Sequence, residues 1–211
     1  MTLRNSLLIG AAAAGLALLA ACQPAEPPAP PARASSSKEN VVPIIRPFPL
    51  AAMNEPQVVE FELAPPGPNA SSSLSIGIRV RAADDAQVAG IAERVVREGG
   101  PAEISLERIE SSGSQPVPLT RREFKGFEPS EMVAVDAEGR VPGAVPDSAD
   151  ETSLVDAGLA EKDGHYRTLT FAWAEQITPG RYRLHIRLLA PGSGLETLPA
   201  ELQLAYTHRA K

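Results

Sequence analysis

The sequence predicts a mainly β chain, an antiparallel β-sandwich with one short α-helix. Two stretches alternate cleanly between apolar and polar residues over a full strand length, the pattern of a sheet with one buried and one wet face. They are Leu74–Ala82 and Arg181–Leu189. Proline and glycine punctuate the chain between further short alternating runs, which is the spacing of a two-layer sandwich of about seven strands. One window, Asp84–Glu98, switches to helical period instead.

Taken in order, Gln57–Leu63 is the first strand of the sandwich, with Val59, Phe61 and Leu63 on one face. Pro65-Pro66-Gly67-Pro68 breaks it. Leu74, Ile76, Ile78 and Val80 then point inward, and Ser75, Gly77, Arg79 and Arg81 face water. Asp84 is the N-cap of the helix, with Gln87 three residues on. Val88, Ile91 and Val95 form its buried stripe, Glu93 and Arg97 an i,i+4 pair, and Gly99-Gly100-Pro101 its stop. A lone helix among strands crosses from one sheet to the other or closes an open end. Ala102–Glu110 is a strand with Ile104 and Leu106 inward, and the prolines of Pro116–Leu119 mark an edge. Met132–Val135 is a short strand in an otherwise loop-like excursion, and residues 124–160 give no clear pattern. Leu154–Ala160 is open between a helical turn and a strand. Tyr166–Trp173 places Leu169, Phe171 and Trp173 on one face. Tyr182, Leu184, Ile186 and Leu188 face inward from the next strand, and Leu202, Leu204 and Tyr206 from the last.

Ile177-Thr178-Pro179-Gly180-Arg181-Tyr182 resembles the tyrosine corner of immunoglobulin-like sandwiches, in which the phenol ties back to the preceding turn. The fold class is accordingly immunoglobulin-like, with Tyr182 structural.

The N-terminal segment gives the address. Arg4 precedes an apolar run from Leu7 to Leu19, too short to span a bilayer. Leu19-Ala20-Ala21-Cys22 resembles the lipobox of bacterial lipoproteins. The resemblance implies a signal peptide over residues 1–21, a diacylglyceryl thioether at Cys22 and fatty acylation of the new N-terminus. Two or three chains hold a protein at a membrane where one does not. Cys22 is the only cysteine, so no disulfide competes for it. Gln23, standing where aspartate would imply inner-membrane retention, implies the outer membrane at its periplasmic face. Residues 22–54 are a proline-rich linker; about 30 extended residues at roughly 3.1 Å each reach about 90 Å. Within it, Val41–Leu50 is more apolar and reads as an irregular arm on the domain. The sandwich then covers 55–211.

From Phe61-Glu62-Leu63-Ala64-Pro65-Pro66-Gly67 through Pro179-Gly180-Arg181-Tyr182-Arg183 to Leu202–Tyr206, the order of motifs resembles a group of proteobacterial lipoproteins with a small β-sandwich domain of unknown function. The resemblance covers residues 56–209 and brings no catalytic residues with it.

Composition narrows the function. The net charge is −6, or −7 once Arg4 leaves with the signal, against a nucleic-acid partner, which calls for a basic patch. His165, His185 and His208 stand apart, with no metal-ligand spacing, and no Gly-x-Ser-x-Gly elbow occurs. No cofactor, metal or catalytic residue is expected. Arg79, Arg81, Arg181, Arg183 and Arg187 are the candidate binding residues: if their strands are neighbours, they make a cationic strip for a carboxylate- or phosphate-bearing partner. The same rows read more simply as a charged face that keeps sheet edges apart and the protein soluble. The expected role is a non-enzymatic binding or envelope-associated module, held to the membrane by its lipid and able to meet a protein partner there. The alternative is a periplasmic immunity protein that neutralises a toxin.

Overall fold

A computed structural model describes residues 40–126 and 129–209. Cys22, the signal segment and most of the proline-rich linker lie outside the described residues. In chain order the elements are β1 (Ile44–Pro47), β2 (Gln57–Leu63), β3 (Ala70–Ala82), α1 (Asp85–Glu98), β4 (Ala102–Glu110), β5 (Gly113–Pro116) and β6 (Thr120–Glu123). There follow β7 (Glu131–Ala134), β8 (Arg140–Val141), β9 (Val145–Asp147), α2 (Glu151–Asp156), β10 (His165–Ala174), β11 (Gly180–Leu188) and β12 (Ala200–His208).

These strands form two antiparallel sheets packed as a sandwich. Sheet A runs β2-β11-β4-β5, with β8 also on β4. Sheet B runs β1-β12-β3-β10-β6-β7, with β9 also on β10. The core lies between the sheets because the inward sets of the central strands are continuous: Leu74, Ile76, Ile78 and Val80 from β3 meet Leu184, Ile186 and Leu188 from β11, all at most 1% exposed. Each such side chain contributes roughly 1.5–3 kcal/mol on burial. Phe61 and Tyr182 stack in the same layer with centroids 5.7 Å apart.

The corner forms as the sequence predicts: Tyr182 Oη donates to the Thr178 carbonyl at 2.6 Å. α1 carries the chain from sheet B to sheet A. Asp84 caps it, accepting from Gln87 N at 2.8 Å, and that backbone N–H holds the Asp84 carboxyl below its ordinary range. Val88, Ala92 and Val95 join the core. The ion pair on its surface is Arg94–Glu98 at 3.0 Å, with Arg97 also turned to Glu98 rather than Glu93.

Four expectations are corrected. The sandwich begins near Asn40, not at 55: β1 pairs with β12 in register Ile44↔Leu204 to Pro47↔Glu201, Val42 N–H donates to the Glu62 carbonyl, and Phe48 and Leu50 are core residues. Residues 40–54 are thus a structural arm rather than linker, and Ile44–Pro47 within it is a strand. Among the described residues there are two helices rather than one, since residues 151–156 form α2. Trp173 faces away from the core. The register of β10 on β3 shifts between Thr170 and Ala172, and an extra residue in a strand inverts the faces beyond it. Leu169, Phe171, Ala172 and Ala174 join the core while Trp173 pairs outward with Ser75.

The fourth concerns β3. Its second face is not wet: Ser75 and Arg79 are 1% and 5% exposed. A flap formed by β9, α2 and the loop to Gly164 lies over that side of sheet B. Ala149, Leu154 and Ala205 make a small second apolar cluster there, packed by Ile45, Leu159 and Ala160. Among the described residues no helix is long and apolar enough to cross a membrane.

Candidate functional site: the covered outer face of sheet B

The strand register lays out this face row by row. One row runs Glu201–Arg79–Thr168–Asp147 across β12, β3, β10 and β9. The next runs Ile45–Gln203–Gly77–Thr170, and a third places Ala205, Ser75 and Trp173 side by side. Ser75, Arg79, Thr170 and Gln203 are buried polar residues of this one surface, and Asp150 of the flap is the fifth among the described residues. Glycine at position 77 is required by backbone approach: a Cβ there would sit 2.2 Å from the Leu169 carbonyl oxygen, beside the shifted register of β10.

Buried polar groups require partners, and most here have them. Asp147 Oδ2 accepts from Trp173 Nε1 and from Thr170 Oγ1, each at 3.0 Å. Ser75 Oγ and Thr170 Oγ1 are 2.6 Å apart. Arg79 donates through Nε and Nη2 to Glu201 Oε2, at 3.1 and 2.7 Å, and through Nη1 to the Leu159 carbonyl at 2.6 Å. Its guanidinium lies 4.5 Å from the Tyr166 ring centroid. The flap is therefore pinned by side chains of the sheet, and also by backbone: β9 pairs with β10, and Asp150 N–H donates to the Tyr206 carbonyl at 3.0 Å.

Between the flap and the sheet is a cavity of about 220 Å3, floored by Arg79, Thr168 and Gln203 and walled by Asp147, Leu154 and Tyr166. Gln203 donates from Nε2 to Thr168 Oγ1 at 3.1 Å, while its Oε1 has no partner. The residue is 1% exposed. Exchanging the amide's oxygen and nitrogen would leave the nitrogen unsatisfied instead, because Thr168 engages one end only. Either way one end of the amide is buried without a partner. A wider trough of about 1000 Å3 runs along the arm beside Val41–Arg46, Glu60 and the end of α2. It holds none of the unpartnered buried side-chain atoms found among the described residues, so the smaller cavity is the better candidate.

The five arginines predicted as one binding strip are divided between the two sheets. Arg79 and Arg81 lie on β3 in sheet B; Arg181, Arg183 and Arg187 lie on β11 in sheet A. Arg79 is internal to the polar layer, and Arg81 is exposed at the strand's end. On β11 each arginine meets a carboxylate. Arg183 binds Glu60 at 2.6 Å and lies 3.7 Å from Glu107; Arg187 binds Glu103 at 2.9 Å; Arg181 is 3.9 Å from Glu60. Hydrogen bonding to Arg183 holds the Glu60 carboxyl below its ordinary range and raises the Arg183 guanidinium in turn. The outer face of sheet A is thus a ladder of mixed charge rather than a cationic strip, and exposed pairs of this kind contribute little.

The histidines are dispersed. His165 Nδ1 is 3.3 Å from Asp85 Oδ1, His185 is on the outer face of sheet A, and His208 ends β12. No group of three His, Cys, Asp or Glu side chains that could hold a metal ion occurs among the described residues.

Local sequence did not single out Asp147, Thr170 or Gln203, since their relation is made by register between distant strands. Two signals pointed toward them: a glycine in the middle of the strongest strand, which signals close approach or a bulge, and a tryptophan, whose N–H finds an acceptor when buried.

No family model matches the chain, and no curated protein matches it. A crystal structure of a protein from Sulfurospirillum deleyianum is similar over 79% of this chain and 98% of that one, at 13% identity and a TM-score of 0.38. At that level the similarity carries no argument about fold or function.

Proposed function

We propose that this chain is a lipid-anchored module of the bacterial envelope that binds, without catalysis, at the covered outer face of sheet B. The observation that supports this best is the roofed polar layer, Ser75, Arg79, Thr170 and Gln203 buried beneath a flap that leaves a cavity of about 220 Å3 against the sheet. The flap makes the site concave, as ligand sites are. Leu19-Ala20-Ala21-Cys22 supports the address: diacylation at Cys22 and, with Gln23 following, the periplasmic face of the outer membrane. The acidic net charge favours a partner other than nucleic acid.

Two readouts test this together. The mature protein should begin at Cys22, carry the mass of its acyl chains and sediment with outer membranes, and Cys22→Ser should release it at the mass of an unacylated chain. Capture by the membrane-held protein should recover a ligand or envelope partner that a flap substitution at Glu161 weakens. Recovery of a toxin instead would replace this reading by the immunity role.

A further inference from the structure

We infer that residues 148–164, the part of the flap beyond β9, open and close over the outer face of sheet B as one unit while the rest of the sandwich stays folded. This motion is a property of the fold and holds apart from the binding role proposed above.

The attachment of the unit permits it. Both ends of the excursion meet at one place, because Asp147 of β9 pairs with Thr168 of β10. Asp147 is fixed there by Trp173 Nε1 and Thr170 Oγ1. The excursion can therefore swing on that point with the pairings of β1 to β12 intact. Its own backbone bonds are local: Leu154, Ala157, Gly158, Leu159 and Gly164 donate to carbonyls within residues 150–161. Among the described residues, only the Asp150 N–H donates from it to the sheet backbone, beside the isolated bridge of Ala149 to Thr207. The remaining holds are the Arg79 bond to the Leu159 carbonyl and the small apolar cluster around Leu154.

Opening costs little for three reasons. The face below is polar, so Ser75, Arg79, Thr170 and Gln203 exchange protein contacts for water while the main core stays covered between the sheets. The closed packing is incomplete, since a cavity of about 220 Å3 remains beneath the flap and its lining lacks dispersion partners there. The closed interface also strands polar atoms. Of the three unpartnered buried side-chain atoms among the described residues, two lie here, Asp150 Oδ1 and Gln203 Oε1. Asp150 is 2% exposed and gives α2 no side-chain cap. Water reaches both oxygens only when the unit lifts, so opening recovers a desolvation penalty that closing incurs. Few buried apolar contacts and purely local hydrogen bonds are the marks of a segment that opens ahead of global unfolding. The consequence is a gate: closed, these oxygens are out of reach, and any partner of the layer selects the open form.

Hydrogen exchange read by mass spectrometry on the full mature chain tests the gate. After correction for intrinsic rates, amides of residues 148–164 should exchange about a hundredfold or more faster than those of β3 and β10. Low urea should leave the flap rate nearly unchanged and accelerate the strands, because opening exposes little surface. Asp150→Ala removes the stranded carboxylate without breaking a cap bond, and flap exchange should slow about tenfold. Leu154→Ala removes an apolar hold, and flap exchange should quicken about thirtyfold. Flap and strand amides that exchange together at every urea concentration would overturn the proposal. An Asp150→Ala flap that exchanges as fast as the wild type, or faster, would overturn it as well.

Discussion

Replacing Asp147 by alanine strikes the polar layer at its most connected atom. Oδ2 of that residue serves both Trp173 Nε1 and Thr170 Oγ1 at 3.0 Å. Trp173 is 4% exposed and Thr170 is fully buried. In D147A, Thr170 keeps Ser75 Oγ at 2.6 Å, so the orphaned donor is the indole N–H. A hydrogen bond to a charged acceptor contributes about 1.5–3 kcal/mol and a stranded buried donor costs about 1–3 kcal/mol. Asp147 itself is only half-buried, which lets water replace part of the loss, so the sum is about 2–4 kcal/mol. D147N retains an acceptor oxygen and loses the charge alone, at about 1 kcal/mol. Trp173 is the single tryptophan of the chain, so its fluorescence through urea unfolding reads the site directly. In a domain of this size the D147A melting temperature should fall by about 5–15 °C. A D147A protein as stable as the wild type, or a D147N protein less stable than D147A, would refute the reasoning.

Three further outcomes follow from other parts of the fold. Phe48 is 2% exposed in the arm, and Phe48→Ala should destabilise by about 3–5 kcal/mol; a loss under 1 kcal/mol in urea melts would return residues 40–54 to the linker. Gly77→Ala places a Cβ 2.2 Å from the Leu169 carbonyl oxygen and 2.8 Å from Thr170 Cα, so overpacking of about 3 kcal/mol is expected, and an unchanged denaturation midpoint would argue against the shifted register. Burial pushes the Tyr206 phenol up to about 12 from 10.0, while its hydroxyl donates to the Ala64 carbonyl at 2.6 Å. Its stabilisation is complete below pH 10, where the phenol is neutral in both states. It is lost as pH rises toward 12, because only the unfolded chain ionises, at about 1.4 kcal/mol per pH unit. The difference in unfolding free energy between wild type and Y206F should therefore shrink between pH 10 and 12, and parallel curves would contradict it.

The strands that alternate without interruption were legible from sequence because one physical rule governs them: β11 is inward at Tyr182, Leu184, Ile186 and Leu188 and outward at its arginines. The cap of α1 and the Tyr182 corner are local chemistry and were readable for the same reason. The arm was not, since Pro43, Pro47 and Pro49 obscure a strand of four residues whose stability comes from β12, far along the chain. Trp173 was misplaced because a bulge leaves no mark in an alternating pattern. The polar face of β3 was read as wet because Ser75 and Arg79 are polar; what buries them is a flap from residues 145–164, through partners such as Asp147 and the Leu159 carbonyl. The candidate site shares this origin, as Gln203 meets Thr168 only through β12, β3 and β10. Arg79 was the one predicted binding residue that lies in it, in a structural rather than a receptive role.

Hydrogen exchange of the intact lipoprotein, with and without a native envelope extract, tests most directly which face of the sandwich is functional. Added protection across the flap at 145–164 and the adjoining strands β10 and β12, with β11 and its charge ladder unchanged, is the result this account predicts. Protection gained on the outer face of sheet A while the flap exchanges as before would contradict it.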